Sequence, residues 1–248
     1  MKILVCISAV PDTTSKINFT ANDTKFDTQG VQFVINPNDE FGLTRAIWFQ
    51  EKQGAEVHTA TVGTSSVEPI MRKALAIGAD KGFRIDAAPS DGFFVATQLS
   101  SLIQREQYDL VICGRESIDY NGAMVPGLIA QHCGYAFINA CVKLEIEGTQ
   151  AKAVREIDGG NERLSSSLPL VIGAQKGLVE ESDLKIPNMR GIMMARQKPI
   201  DVLSAEDVAA RTTDIRFERP AVKSEVIFVK PTDLDTLIDL LHKEAKVL

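Results

Sequence analysis

From Lys2 to Gly134 the chain alternates short unbroken apolar runs with longer segments whose apolar residues recur at helical spacing. Lys2 to Ile7 (KILVCI), Glu56 to Val62, Phe83 to Ile85 and the run Leu110-Val111-Ile112-Cys113 read as strands. A continuous apolar run of this length suits a strand covered on both faces. Between the runs lie helical segments. The first opens at Asn36-Pro37-Asn38-Asp39-Glu40, where Asn36 can cap, Pro37 fits the first helical position and acids fill the first turn. Leu43, Ala46 and Ile47 follow at helical spacing, and Gly54 stands past the end. Ser66 can cap a second helix carrying Ile70, Met71, Ala74 and Leu75, and Asp91 starts a third carrying Val95, Leu99 and Leu102. The β-α-β-α-β-α-β-α order implies a parallel sheet with helices on its faces.

In such a sheet, ligands sit outside the carboxyl ends of the strands. The stretch Tyr108 to Cys133 supplies a strand, a break at Gly114, a polar loop from Arg115 to Gly122 and an apolar segment from Ala123 to Ala130. It delivers a helix amino terminus whose free N–H groups favour an anion. Asp119, Asn121 and Gly122 suit that corner, because Asp and Asn cap helices and Gly admits close backbone approach. Spacing alone leaves an ordinary strand-to-helix turn equally open.

Other segments break the rhythm. Ser8 to Thr13 reads as a polar-tipped loop, and residues 17 to 35 as two short strands or a hairpin. CVKLEIEG, from Cys141, and AKAVREIDGG read as antiparallel strands joined around Glu147-Gly148-Thr149, with a second tight turn at Asp158-Gly159-Gly160-Asn161. Leu168 to Ala174 can rejoin the main sheet. Residues 176 to 200 look irregular, and Met189, Ile192, Met193 and Met194 there need a cover, either the chain's own domain or a partner. Residues 205 to 230 form an extended arm with a few strand-like pieces. Thr232-Asp233-Leu234-Asp235 then resembles a capping box before an apolar helical face of Leu234, Leu237, Ile238, Leu240 and Leu241. Two units follow: 1–204, an α/β domain that includes the segment 176–200, and 205–248, an arm ending in a helix suited to dock on another surface, of the same chain or of a different one.

Composition bounds the function. The 248 residues carry a formal net charge of −6, which argues against a general nucleic-acid or anionic-membrane binder. No stretch approaches the ~20 apolar residues of a membrane span. Cys6, Cys113, Cys133 and Cys141 lie in apolar runs without CxxC spacing, as buried free thiols would, and His58, His132 and His242 form no ligand pattern. A strand-like run beginning at Lys2 leaves no signal or transit segment, so a bacterial cytoplasm is expected rather than a mitochondrial matrix. No Walker motif or glycine-rich pyrophosphate finger is present, and no nucleophile–base arrangement can be argued.

Arg155-Glu156-Ile157-Asp158-Gly159-Gly160-Asn161-Glu162-Arg163-Leu164, followed by Pro169-Leu170-Val171-Ile172, resembles the signature of the electron transfer flavoprotein beta subunit, departing from it at Gly173. VCISAVPDT, INPND, ALAIGAD, GRESIDYNGAMVPG and IPNMRGIMMARQKPI are similar to the family's first strand and loop, its Asn-Pro helix start, its second helix, its nucleotide loop and its partner-recognition segment. The resemblance implies a Rossmann-like fold related to the adenine nucleotide alpha hydrolases. It implies a non-catalytic half of a heterodimer, with the alpha subunit supplying most of the FAD site and this chain binding AMP; in the electron-bifurcating class a second FAD takes that place. Carried over by position, Cys6 and Ser8 end the first strand at the site. Asn36, Pro37, Asn38 and Asp39 form one wall, and Val62 and Gly63 another. Asp119, Asn121, Gly122, Ala123, Met124 and Val125 hold the phosphate end. Backbone N–H groups would meet the phosphate there, while Asp119 orients the loop or meets ribose hydroxyls. Many members carry Phe where Asn38 stands and some carry Tyr where Thr13 stands, both near the flavin. The loop from Asp119 to Gly127 is shorter than in the AMP-binding members and closer in length to the bifurcating and nitrogen-fixation-related ones, whose Thr and Gln are here Gly122 and Met124. AMP and a second FAD both stay open. Ile186, before Pro187-Asn188, stands where the family anchors on acyl-CoA and other flavoprotein dehydrogenases, with Arg190, Arg196 and Lys198 beside it to guide encounter. Electrons would pass on to an electron transfer flavoprotein–quinone oxidoreductase or a similar acceptor, as in fatty acid beta-oxidation. A stand-alone adenine-nucleotide-binding protein and a plain interaction protein are the other readings.

Overall fold

The structure, a computed structural model, describes residues 1–221 and 226–248. The alternating half folds as the sequence dictates: β1 (Lys2–Cys6), α1 (Pro37–Gln53), β6 (Glu56–Val62), α2 (Glu68–Ile77), β7 (Lys81–Asp86), α3 (Gly92–Glu106), β8 (Leu110–Gly114) and α4 (Met124–Cys133). Three short strands intervene after β1: β2 (Ala9–Pro11), the pair β3 (Phe19–Thr20) and β4 (Lys25–Phe26), and β5 (Phe33–Ile35). The second half adds β9 (Ala136–Glu147), β10 (Gln150–Ile157), β11 (Gly160–Ser167), β12 (Leu170–Ala174), α5 (Met189–Ala195), β13 (Ile200–Ser204) and α6 (Leu234–Asp239). Among the described residues the main sheet runs β11-β10-β9-β12-β8-β1-β6-β7-β13. It is parallel from β9 through β13, and the β9-β10-β11 hairpins extend one end antiparallel.

Side chains alternate across a strand, so an unbroken apolar run feeds two cores. Ile3 and Val5 of β1 pack beneath Leu43 and Ile47 of α1 and Leu75 of α2. Leu4 and Cys6 point the other way, into the cluster holding Leu99 and Ile103 of α3 and Ile129 of α4. From β1 the chain proceeds outward to β6 and β7, then returns to lay β8 on the opposite side of β1. Strand order therefore reverses between β1 and β8, and the crevice at their carboxyl ends is where such a sheet binds ligands.

Several local expectations are corrected. The loop Ser8 to Thr13 contains a strand, β2, which pairs antiparallel with β5, so only β3 and β4 form the small hairpin expected within 17–35. Ser66 does not cap α2; it lies in a 3-10 turn, Ser65–Val67, and its hydroxyl meets that of Thr64. The irregular segment 176–200 holds α5, and its last residue opens β13, which joins the sheet beside β7. The arm forms no strand among its described residues; the part of it at 222–225 lies outside them. At the C-terminal helix the cap is Asp233, which accepts from the Thr236 N–H at 3.2 Å. Gly173, the departure from the signature, has a local cause. A side chain there would collide with the side-chain amide oxygen of Asn139 and press on the Arg115 backbone.

Candidate nucleotide site

The crevice is braced by one carboxylate. Asp39, in the first turn of α1 and 2% exposed, accepts the N–H of Ser8 after β1 at 2.7 Å and the N–H of Gly114, the last residue of β8, at 2.8 Å. Asn36 donates to the same carboxylate at 3.1 Å. Burial pushes the Asp39 carboxyl up to about 7, against the pull of these donors. Gly114 is required: any side chain would run into the Asp39 carboxylate, Asn36 and Asn38. Asn36 stands at the N-cap position of α1 but makes no capping bond, contrary to expectation. It instead donates to the Glu116 carbonyl at 3.0 Å and accepts the Ile118 N–H at 3.3 Å, while Asn38 donates to the same carbonyl at 3.1 Å. The first turn of α1 thus sets the start of the loop after β8.

Above the brace lies a cavity of about 440 Å³. Cys6 and Cys113, neighbours on β1 and β8 and facing the same side of the sheet, line its floor. Ser8, Asn36, Asp39 and Val62 line it as expected, and so do Asp119, Gly122, Met124 and Val125. Pro37, Asn38, Gly63, Asn121 and Ala123 stand behind this lining. Pro37 is the first residue of α1, Gly63 packs against Val67 with no room for a side chain, and Asn121, at φ 50, closes the loop onto the Ser117 carbonyl. Ala123 is the N-cap position of α4 and makes no side-chain cap. Asp119 does not cap α4 either; it accepts the Tyr120 N–H at 2.9 Å. No side-chain cap meets the first N–H groups of α4, those of Met124 and Val125, at the wall these two residues form. The charged side chains lining the cavity are Asp39, Asp91, Glu116, Asp119 and Asp214; among the described residues no Lys or Arg lines it. Negative charge on a ligand would therefore be met by backbone N–H groups and neutral hydroxyls such as those of Ser8, Ser90 and Ser117, not by a cation.

The sequence missed Ser90, Asp91 and Gly92 at the start of α3, although they follow β7 at the same edge and the switch-point rule pointed there. It also missed Thr212 and Asp214 of the arm, whose return over the site no local pattern signals. A second cleft, about 520 Å³, adjoins the first through Asp119 and Tyr120. Thr13 lines it together with Phe19, Phe26, Phe33 and Phe217, so aromatic rings surround a position that is not itself aromatic.

The signature residues work as a tie. Arg155 and Glu162 face each other across β10 and β11 and pair at 2.6 Å. Glu156 accepts from Gln175, which accepts from Arg115 at 3.0 Å, and Arg115 pairs with Glu116 at 2.7 Å. The hairpin is so linked to the loop beside the cavity. Far from the cavity, Ile186 is 82% exposed beside Pro187, and Asn188 caps α5 by accepting the Gly191 N–H at 2.8 Å. Met189 and Met193 stand out from α5, while Ala195 is buried and Gly191 abuts the Ala76 carbonyl. Self-packing therefore does not cover this methionine patch. Lys198 is not a free rim charge: its ammonium donates to the Leu75, Gly78 and Ala79 carbonyls at the end of α2.

Comparison with known proteins agrees with this geometry. The electron transfer flavoprotein domain matches residues 23–208. The electron transfer flavoprotein subunit beta of Bacillus subtilis is 30% identical over the whole of both chains. That of Syntrophomonas wolfei is 32% identical over 93% of this chain and 90% of its own, and the human one 30% over 94% of each. The chain belongs to the electron transfer flavoprotein family, as a beta subunit.

Proposed function

We propose that this chain binds AMP in the cavity between β1 and β8, where the nucleotide is structural, and that the heterodimer it forms with an alpha subunit carries electrons on an FAD held mainly by that subunit. The single observation that carries the reading is the cavity itself. It sits at the switch point of the sheet, and its volume lies toward the small end of the ~300–1,000 Å³ typical of ligand sites. Its all-acidic charged lining favours one phosphate at the α4 terminus over the two of a dinucleotide. The adjoining aromatic cleft beside Thr13 offers ring faces to the partner's flavin, replacing the aromatic residues missing at positions 13 and 38. Ile186, Pro187 and Asn188 anchor the heterodimer transiently on flavoprotein dehydrogenases, from which it accepts electrons to pass to a respiratory acceptor. The chain is a carrier subunit with no substrate of its own, working in the cytoplasm. No helix among the described residues is long and apolar enough to cross a membrane.

The test is to co-express the chain with its cognate alpha subunit, denature the purified complex and quantify the released nucleotides. One FAD and one AMP per heterodimer is the expected result. Two FAD and no AMP would move the chain to the bifurcating class, and an absence of bound nucleotide would overturn the reading of the cavity.

A further inference from the structure

The arm does not pass straight from β13 to solvent. Buried Gln98 of α3 exchanges two hydrogen bonds with the Glu206 backbone, at 2.9 and 2.8 Å. Asp91 then divides its carboxylate between two tasks. Oδ1 caps α3 by accepting the Phe94 N–H at 2.7 Å. Oδ2 accepts from the arm: the N–H groups of Arg211 and Thr212 at 2.7 and 2.8 Å, and the Thr212 hydroxyl at 3.2 Å. The Arg211 guanidinium lies over the Phe93 ring, 4.2 Å from its centroid. Further along, Asp214 accepts from the Tyr120 hydroxyl at 3.2 Å, and Phe217 stacks on Phe19 with centroids 4.8 Å apart. The segment therefore runs from α3, past the cavity, to the β3–β4 hairpin, and Thr212 and Asp214 line the cavity directly.

The described part of this segment has no helix or strand to hold it in place, so its position rests on these contacts, on Val208 packed against the core on the α3 side, and on the Phe217 N–H, which donates to the Asp23 carbonyl at 2.8 Å. The Asp91 clasp concentrates them. Burial pushes the Asp91 carboxyl up, but the N–H groups of Phe94, Arg211 and Thr212 outweigh burial and hold it below the usual carboxylate range. It is ionised at neutral pH, and hydrogen bonds to an ionised acceptor are stronger than neutral ones.

We propose that Asp91 is a positioning residue of the nucleotide site: its Oδ2 latches the arm so that Thr212 and Asp214 form the outer wall of the cavity, and a bound nucleotide leaves only when the latch opens. This deepens the reading of the cavity as a mononucleotide site and rests on it. Release is then set by opening of the arm rather than by ligand contacts alone. The latch also divides the arm. Residues 206–219 serve this chain's own site, and the exposed Val226, Ile227 and Phe228 with α6 are left for a partner.

The test uses the heterodimer with Asp91→Asn. The amide keeps the side chain's size and the oxygen that caps α3, but turns an NH₂ toward the N–H groups of Arg211 and Thr212. The complex is loaded with radiolabelled AMP and chased with unlabelled AMP, and tryptic cleavage after Arg211 is followed in parallel. Both release and cleavage are expected to accelerate roughly tenfold or more, with the thermal midpoint little changed. Thr212→Pro, which removes both Thr212 donors of the latch and leaves Asp91 and α3 intact, is expected to reproduce the faster release; trypsin does not cut the Arg–Pro bond it creates, so release alone is read for this variant. Faster cleavage with unchanged release would show that the arm lifts without gating the site and would overturn the proposal, as would no acceleration of either. A wild-type heterodimer that retains no AMP while the variant still gains tryptic sensitivity would instead overturn the mononucleotide reading, and the gating with it.

Discussion

At the scale of single residues, one buried acid joins three parts of the chain far apart in sequence. Asp39 meets the backbone after β1 and at the end of β8, and Asn36 beside it reaches the loop that follows β8. Asp39→Ala strands two backbone N–H groups away from water, so it should cost about 2–4 kcal/mol in urea unfolding and empty the cavity of nucleotide. Gly114→Ala tests the same corner sterically. Its new methyl group would displace the carboxylate, Asn36 or Asn38, and nucleotide stoichiometry should fall with a stability loss of about 1–3 kcal/mol. The pH dependence has a definite sign. The folded carboxyl is raised from 3.8 to about 7, so the native state binds the proton more tightly than the unfolded chain. The resulting stability is fully present below pH 3.8 and is lost as pH rises through about 7. Comparing denaturant midpoints of wild type and Asp39→Asn across that window isolates the term; parallel curves would show that Asp39 does not titrate there.

At the scale of elements, the strands that build the crevice were legible because each is an apolar run bounded by turn residues, and their order follows from the βαβ rule. Glu56–Val62 was read to its limits, and the β9–β10 hairpin was found, although β9 begins earlier, at Ala136. What escaped was set by tertiary contact. Ala9–Pro11 becomes a strand only because β5 lies against it, and Asn36 gives up its cap because two carbonyl and carboxylate oxygens and one N–H compete for its amide. The loop after β8 could be named from its strand end and the floor and other walls from the family resemblance, whereas Thr212 could not, since its place depends on an arm returning from more than a hundred residues away to Asp91. The methionines of α5 sit between these cases: their need for a cover was visible, but whether their own domain supplies it was not. Ile186 touches little of its own chain, so Ile186→Asp should leave stability within about 0.5 kcal/mol. If it is the docking anchor, the loss of about 1.5–3 kcal/mol of burial should weaken reduction by a partner dehydrogenase roughly ten- to hundredfold. Stopped-flow flavin reduction as a function of dehydrogenase concentration measures this, and an unchanged half-saturation would rule the anchor out.

At the scale of the whole molecule, the apolar surface is unevenly finished. The two faces of the sheet are sealed by α1 and α2 on one side and α3 and α4 on the other, yet the last residues leave Val226, Ile227 and Phe228 open, and on α6 Leu234, Leu237 and Ile238. A helix of six residues prolonged by one π-helical turn is too short to persist alone in water, and an apolar face of this kind marks a surface that another chain covers. Family membership supplies that chain, the alpha subunit, and we assign residues 226–248 to it. Leu237→Glu with Ile238→Glu places two charges on the face without touching the sheet or the latch at Asp91. The purified variant should unfold at the wild-type midpoint and retain the wild-type pattern of tryptic cleavage at Arg211, yet fail to co-elute with its alpha subunit in size-exclusion chromatography. Co-elution at wild-type strength would instead place the partner surface elsewhere, with the methionine patch around α5 as the next exposed apolar region to test.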